Sequence, residues 1–241
     1  MFDASAEFYD TIYGVFKDYN AEATKIANLV RAIDAEYKTV LDVACGTGEH
    51  ARFLTQAGYS VDGIDINAAF VGIAQRKNQT GLFIEADMSE FELSRRYDVV
   101  MCLFSSIGYL RTLDRVARAL RRFREHLRPG GAVIVEPWFQ PGVLDQGRVD
   151  QTTGEANGIR VTRNSRMELE QGLSRIHFNY EITDATGTRH VPEVHELGLF
   201  TNAELMEAFR ATGFHVTYDP VGLINRGLYI GRPADRSLDS A

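Results

Sequence analysis

At 241 residues, with 44% hydrophobic and 24% charged side chains, the chain has the composition of a globular protein able to bury a sizeable core. Its formal net charge of −7 disfavours nonspecific nucleic-acid binding but leaves room for an anionic small substrate received by local arginines. No apolar run approaches the ~20 residues of a membrane span, the acidic start Met-Phe-Asp-Ala-Ser-Ala-Glu lacks signal-peptide features, and two cysteines, Cys45 and Cys102, suit a reducing cytoplasm.

After N-terminal helices, three β-then-α units follow. The spacing predicts a strand over Thr39–Ala44, a helix over His50–Ala57 ended by Gly58, a strand over Ser60–Ile66 and a helix over Ala68–Lys77. Leu82–Ala86 reads as the third strand and Tyr97–Leu103, almost wholly apolar, as a central parallel one. The stretch from Leu110 to Arg128 carries seven arginines. Its apolar residues Leu113, Val116, Ala117, Leu120, Phe123 and Leu127 recur at helical spacing, so Arg111, Arg115, Arg118 and Arg122 read as a solvated helix face. The turn Arg128-Pro-Gly-Gly131 feeds a fifth strand, Ala132–Glu136.

From Ile159 to Phe200 the pattern changes to alternating segments, notably Arg175–Thr183 and Val191–Leu199, expected to be antiparallel strands inserted before a helix over Asn202–Thr212. Phe214–Asp219 and Gly227–Ile230 read as a closing hairpin. The expected division is a cofactor-binding unit (1–136 and 201–232), an inserted antiparallel β region covering the substrate (137–200) and a disordered tail (233–241). Strands alternating with helices imply a doubly wound, mostly parallel sheet.

Within this frame, the segment Val40-Leu-Asp-Val-Ala-Cys-Gly-Thr-Gly-Glu-His50 is a short strand running into a glycine loop. Gly46 and Gly48 let the backbone turn sharply and approach a ligand. The loop formally satisfies the dinucleotide fingerprint, but the local charge argues against a pyrophosphate. Asp42, Asp65 and Asp87 fall at the ends of three consecutive strands, where open α/β sheets bind ligands, and Glu49 adds to the field. Such a field suits a cationic cofactor bearing a sulfonium and an ammonium, S-adenosylmethionine. Asp65, 23 positions after Asp42, is placed to hold a ribose diol; Asp87 can accept from an adenine amine with Met88 packed on the ring.

The set Leu-Asp-Val-Ala-Cys-Gly-Thr-Gly, Gly-Ile-Asp, Ala-Asp-Met and Leu-Arg-Pro-Gly-Gly resembles the class I S-adenosylmethionine-dependent methyltransferases, which implies a Rossmann-like seven-stranded sheet. Glu7-Phe-Tyr-Asp10, Lys17-Asp-Tyr19, Cys102-Leu-Phe-Ser-Ser-Ile-Gly108, Val135-Glu-Pro-Trp138 and Arg226-Gly-Leu-Tyr229 are similar to the N,N-dimethyltransferases of dTDP-3-amino deoxysugars, enzymes of macrolide antibiotic biosynthesis. The resemblance implies a cofactor site in which Tyr19 closes beside Ala44, Gly46, Asp65, Asp87, Met88 and Leu103; Asp42, Gly48 and Ile66 complete the candidate set. It also implies that Tyr9, Ser106, Trp138, Arg163 and Arg226 line a sugar–diphosphate pocket, Arg226 from an exposed-looking turn. A guanidinium fork is what a diphosphate needs in an acidic protein.

One position departs from the family. Where those enzymes carry histidine after Ser-Ser-Ile-Gly, this chain has Tyr109, a poor base at neutral pH, for which an orienting role is expected. The alternatives left open are a methyltransferase for another small amine or hydroxyl acceptor, a non-catalytic S-adenosylmethionine-binding protein, and a nicotinamide enzyme. His190 and His195 stand five apart on an expected strand and point to opposite faces, so no metal site is expected, and Cys45 reads as a packing residue. The expected partner is a nucleotide sugar or other small amine, for a monomer or homodimer.

Overall fold

The computed structural model describes residues 5–234. Two N-terminal helices, α1 (Tyr9–Tyr13) and α2 (Tyr19–Ile33), precede β1 (Thr39–Val43), α3 (Glu49–Gln56), β2 (Ser60–Asp65), α4 (Ala68–Lys77) and β3 (Phe83–Glu85). Then come β4 (Tyr97–Cys102), α5 (Leu113–Glu125) and β5 (Leu127–Val135). Four long strands follow, β6 (Val149–Ala156), β7 (Ile159–Glu170), β8 (Leu173–Asp184) and β9 (Gly187–Gly198). The chain closes with α6 (Asn202–Ala211), β10 (Phe214–Asp219) and β11 (Leu228–Pro233).

Seven strands form one sheet in the order β10-β11-β5-β4-β1-β2-β3. The run from β5 to β3 is parallel, and β11 is inserted antiparallel between β5 and β10. Because β1 pairs with β2 on one side and β4 on the other, the topological switch point lies between β1 and β4. The central strands bury both faces, which is why they read as continuous apolar runs; Leu41, Val99, Val100, Met101 and Ile134 are fully buried. Leu41, Val43, Val100 and Val133 pack with Leu120 and Phe123 of α5 and Phe209 of α6; Val40, Val99, Met101 and Ile134 pack with Ile26 and Val30 of α2 on the other face.

The second sheet is an antiparallel meander, β6-β7-β8-β9. It starts ten residues earlier than expected, at Val149, because β6 is polar and mostly exposed and is held by its ladder to β7 rather than by an apolar face. Its inner side, carrying Val161, Phe178, Tyr180 and Ile182, packs on Phe8, Ile12 and Tyr13. The N-terminal segment therefore leans on this flap. Strand bounds differ elsewhere too: β5 absorbs the Arg128-Pro-Gly-Gly131 turn, and β11 runs through Pro233, whose Cα pairs with Phe214. Residues 235–241 of the expected tail lie outside the described residues.

Candidate active site

Two loops meet over the switch point. Ala44 after β1, and Phe104 and Ser105 after β4, hold left-handed backbone conformations (φ 58°, 50° and 65°). For residues with a Cβ these cost of the order of 1–3 kcal/mol each and persist only where surrounding contacts impose them. Here the contacts are explicit. Gly46 N–H donates to Asp65 Oδ2 (2.9 Å), Phe104 N–H to Glu136 Oε2 (2.7 Å), and Ser105 Oγ to the Pro137 carbonyl (2.7 Å). Between the loops and the flap lies a cavity of about 920 Å³, within the range of ligand sites. A smaller one adjoins it, and Tyr9, Ala44, Gly46, Phe104 and Ser106 line both.

One end is acidic. Asp42 is buried in the smaller cavity with Tyr19 and Leu103, and its Oδ2 has no hydrogen-bond partner. Burial, then the nearby Asp65, pushes its carboxyl up to about 8. Asp65 accepts from Gly46 and Asn67 N–H (both 2.9 Å); burial raises its carboxyl despite these bonds. Asp87 lies in the larger cavity beside Met88 and the exposed Ile66. Burial opposes its ionisation, but hydrogen bonds from Ser89 and the Arg115 guanidinium (2.8 Å) prevail and hold the carboxyl below its usual range. A buried carboxylate oxygen lacking a donor is costly unless a cation meets it, so the acidic end fits a ligand with ammonium and sulfonium groups.

The other end is aromatic and basic. Arg226 is half-buried rather than exposed: its Nη1 donates to Ser105 Oγ (2.9 Å), and its guanidinium lies 5.0–5.5 Å from the ring centroids of Phe104, Trp138 and Phe139. Arg163 reaches in from β7 over Tyr13 and Phe178 (both 4.9 Å), with its Nε buried and unpartnered. Trp138 Nε1 donates to Ser174 Oγ (2.8 Å), which fixes the indole against the flap. Tyr9 stacks on Tyr13 at 4.1 Å, and Tyr109 faces the larger cavity from a short 3-10 turn (Ser106–Leu110).

The residues therefore form a pocket with a cation-seeking end and an anion-seeking end. A family described as a methyltransferase domain matches residues 40–131. The dTDP-3-amino-3,6-dideoxy-alpha-D-glucopyranose N,N-dimethyltransferase of Streptomyces fradiae is 40% identical over 95% of this chain and 90% of its own length. The crystal structure of Streptomyces venezuelae DesVI superposes with a TM-score of 0.90 at 38% identity, covering 95% of this chain and 98% of that one. The S-adenosylmethionine-bound CalS10 of Micromonospora echinaspora, an amino pentose methyltransferase of calicheamicin biosynthesis, follows at TM-score 0.82 and 30% identity, over 92% of this chain and 94% of its own.

The chain belongs to the amino-sugar N,N-dimethyltransferases. It is an S-adenosylmethionine-dependent methyltransferase with the family's Rossmann-like sheet. Among the expected site residues of this N,N-dimethyltransferase, Gly48 lines neither cavity. It turns the chain into α3 at φ 76° and packs against Asn78 and Ala74. The solvated-face reading of the arginine helix holds for Arg118 and Arg122, which pair with Asp114 and Glu125. It fails for Arg115, which reaches back to Asp87 and lines the cavity because the first turn of α5 lies beside the end of β3, and for Arg111, which precedes the helix, pairs with Glu196 of β9 and also lines the cavity. Sequence reasoning also gave no role to His195, which is fully buried behind Tyr109. No group of three or more His, Cys, Asp or Glu able to hold a metal occurs among the described residues, and none of the described helices is long and apolar enough to cross a membrane. Burial pushes the Cys45 thiol well up, in keeping with a packing role.

Proposed function

We propose that this chain methylates the amine of a dTDP-linked 3-amino deoxysugar twice, giving the N,N-dimethyl product. The observation that carries the reading is the division of one pocket into a carboxylate end and an arginine–aromatic end, which suits a cationic cofactor and a diphosphate sugar entering from opposite sides. The relative from Streptomyces fradiae supports the 3-amino sugar as the acceptor.

S-adenosylmethionine supplies a methyl group on a sulfonium, and its transfer to a neutral amine moves the positive charge from sulfur to nitrogen. The unpartnered Asp42 carboxylate and Asp65 receive the cofactor's polar groups, Asp65 through the lone pairs its backbone bonds leave open. Ile66, Met88 and Asp87 hold the adenine end, and Tyr19 closes over the smaller cavity with Ala44, Gly46 and Leu103. Arg226 and Arg163 take the diphosphate, while Tyr9, Ser106 and Trp138 wall the sugar and Tyr109 orients the amine. Orientation of this kind is worth ~7–11 kcal/mol of barrier. Residues 1–136 with 201–232 are read as the cofactor-binding unit and 137–200 as its cover, with the chain working in the cytoplasm as a monomer or homodimer.

Tyr109, replacing the family's histidine, favours a second reading, another small amine or hydroxyl acceptor on the same scaffold. Incubation with S-adenosylmethionine and a panel of dTDP-3-amino and dTDP-4-amino sugars, read by mass, separates the two. Increments of one and two methyl groups on a 3-amino sugar support the first; cofactor binding with no increment on any sugar moves the assignment to the second.

A further inference from the structure

The departure at position 109 has a structural counterpart 86 residues away in the chain. Tyr109 Oη lies 3.0 Å from His195 Nδ1. His195 sits on the inner side of β9, fully buried opposite Ile176 of β8, with the Phe178 ring edge-on at 5.0 Å. Its Nε2 lies 3.3 Å from Glu193 Oε2, and Glu193 in turn accepts from Ser5 N–H (3.0 Å) and Ser5 Oγ (2.8 Å). Tyr109 lines the cavity and His195 does not, so the tyrosine stands between the cavity and the imidazole.

We propose that Tyr109, His195 and Glu193 form a proton relay that deprotonates the nitrogen between the two methyl transfers. This rests on the amine-dimethylating reading above. After the first transfer the nitrogen carries a methyl group, an extra proton and the positive charge. Its N–H proton passes to Tyr109 Oη as the Tyr109 O–H proton passes to His195 Nδ1. The nitrogen regains its lone pair, the tyrosine ends neutral as it began, and the charge rests on an imidazolium whose Nε2–H faces Glu193. That proton returns to solvent after turnover.

Tyr109 alone is no base, because burial pushes its hydroxyl well up; as a conduit it never has to ionise. Glu193 is suited to back an imidazolium. Burial raises its carboxyl, but bonds from His195 and Ser5 outweigh that and hold it low. The other groups facing the pair are Tyr9 and Tyr13 of α1, Tyr180 of β8 and Asp65 of β2, with Arg163 of β7 on the Phe178 ring. Tyr109 is thus the catalytic residue, His195 takes up its proton, and Glu193 positions His195.

The test compares wild type with Tyr109→Phe, His195→Gln and Glu193→Gln, following mono- and dimethylated product separately by mass. S-adenosylmethionine affinity, measured by calorimetry, reports correct folding. The relay predicts that Tyr109→Phe and His195→Gln slow the second transfer by ~100-fold, leave cofactor affinity within a few-fold and accumulate monomethyl product. Glu193→Gln slows it by ~10-fold. Equal slowing of both transfers overturns the relay. A readout independent of turnover is nitrogen NMR of histidine-labelled protein: the relay requires the hydrogen on His195 Nε2 in the resting enzyme, and an Nδ1–H tautomer overturns it. Wild type that binds cofactor, shows the Nε2–H tautomer and methylates no amino sugar overturns the underlying reading, and the relay with it.

Discussion

Asp42→Asn removes one buried charge without changing shape, and the outcome is computable. The Asp42 carboxyl titrates near 8 in the folded chain and near 3.8 when unfolded. Between these values the folded protein holds a proton that the unfolded chain has released, so stability falls as pH rises, by about 1.4 kcal/mol per pH unit. Below the lower value both states are protonated, and above the higher one both are ionised, so the slope vanishes on either side. From pH 6 to pH 8 the loss is about 2–3 kcal/mol, or roughly 5–10 °C in Tm for a chain of this length. The Asp65 carboxyl is also raised by burial and contributes a slope of the same sign. Thermal melts of cofactor-free protein in steps from pH 5 to 8.5 read it directly. The variant should gain on wild type across this range, yet bind S-adenosylmethionine ~30-fold or more weakly through loss of a buried charge partner. Wild-type binding near pH 7 should release a proton, seen in calorimetry as heat that varies with the buffer. Parallel melting curves, with no proton release, would refute the assignment of Asp42 as the cation's partner.

Arg226→Lys keeps the charge but loses the Ser105 bond and the planar contact with Phe104, Trp138 and Phe139; KM for a dTDP sugar should rise ~10-fold or more in steady-state kinetics. Arg115→Ala frees Asp87, whose carboxyl should move up towards its ordinary value when followed by carbon NMR; both partners are partly exposed, so the stability cost in urea should be no more than about 1 kcal/mol. Leu120→Ala empties a fully buried position between α5 and the sheet and should cost about 2–5 kcal/mol in the same denaturation assay, with no effect on KM.

What was legible in the sequence is what local patterning controls. Asp42, Asp65 and Asp87 could be placed together because parallel strands separated by helices bring successive carboxyl ends to one sheet edge, whatever the detail of the packing. The β6 strand escaped because Val149-Asp-Gln-Thr-Thr-Gly has no buried face to write a pattern; its partner strand supplies the order. Arg115 escaped because helical periodicity tells which side a residue occupies, not what stands beyond the first turn. His195 was correctly set on the face opposite His190, but which face is buried depends on how the flap lies over the turn carrying Tyr109. Contacts across such a separation leave no trace in spacing.

The electrostatic plan explains how an acidic chain accepts a diphosphate substrate. Three carboxylates crowd the ends of β1, β2 and β3, while Arg163 and Arg226 enter the cavity from β7 and from the turn before β11. Glu136 sits on the boundary between them, fully buried, one oxygen holding Phe104 N–H and the other unpartnered. Its carboxyl is raised by burial, while Lys17 and Arg226 act to keep it charged. The strained Phe104–Ser105 turn is thus tied to Glu136 on one side and to Arg226 on the other. A diphosphate drawing on the Arg226 guanidinium would pull on the turn that walls the smaller cavity. Filling the basic end is in this way coupled, through one turn, to the shape of the acidic end.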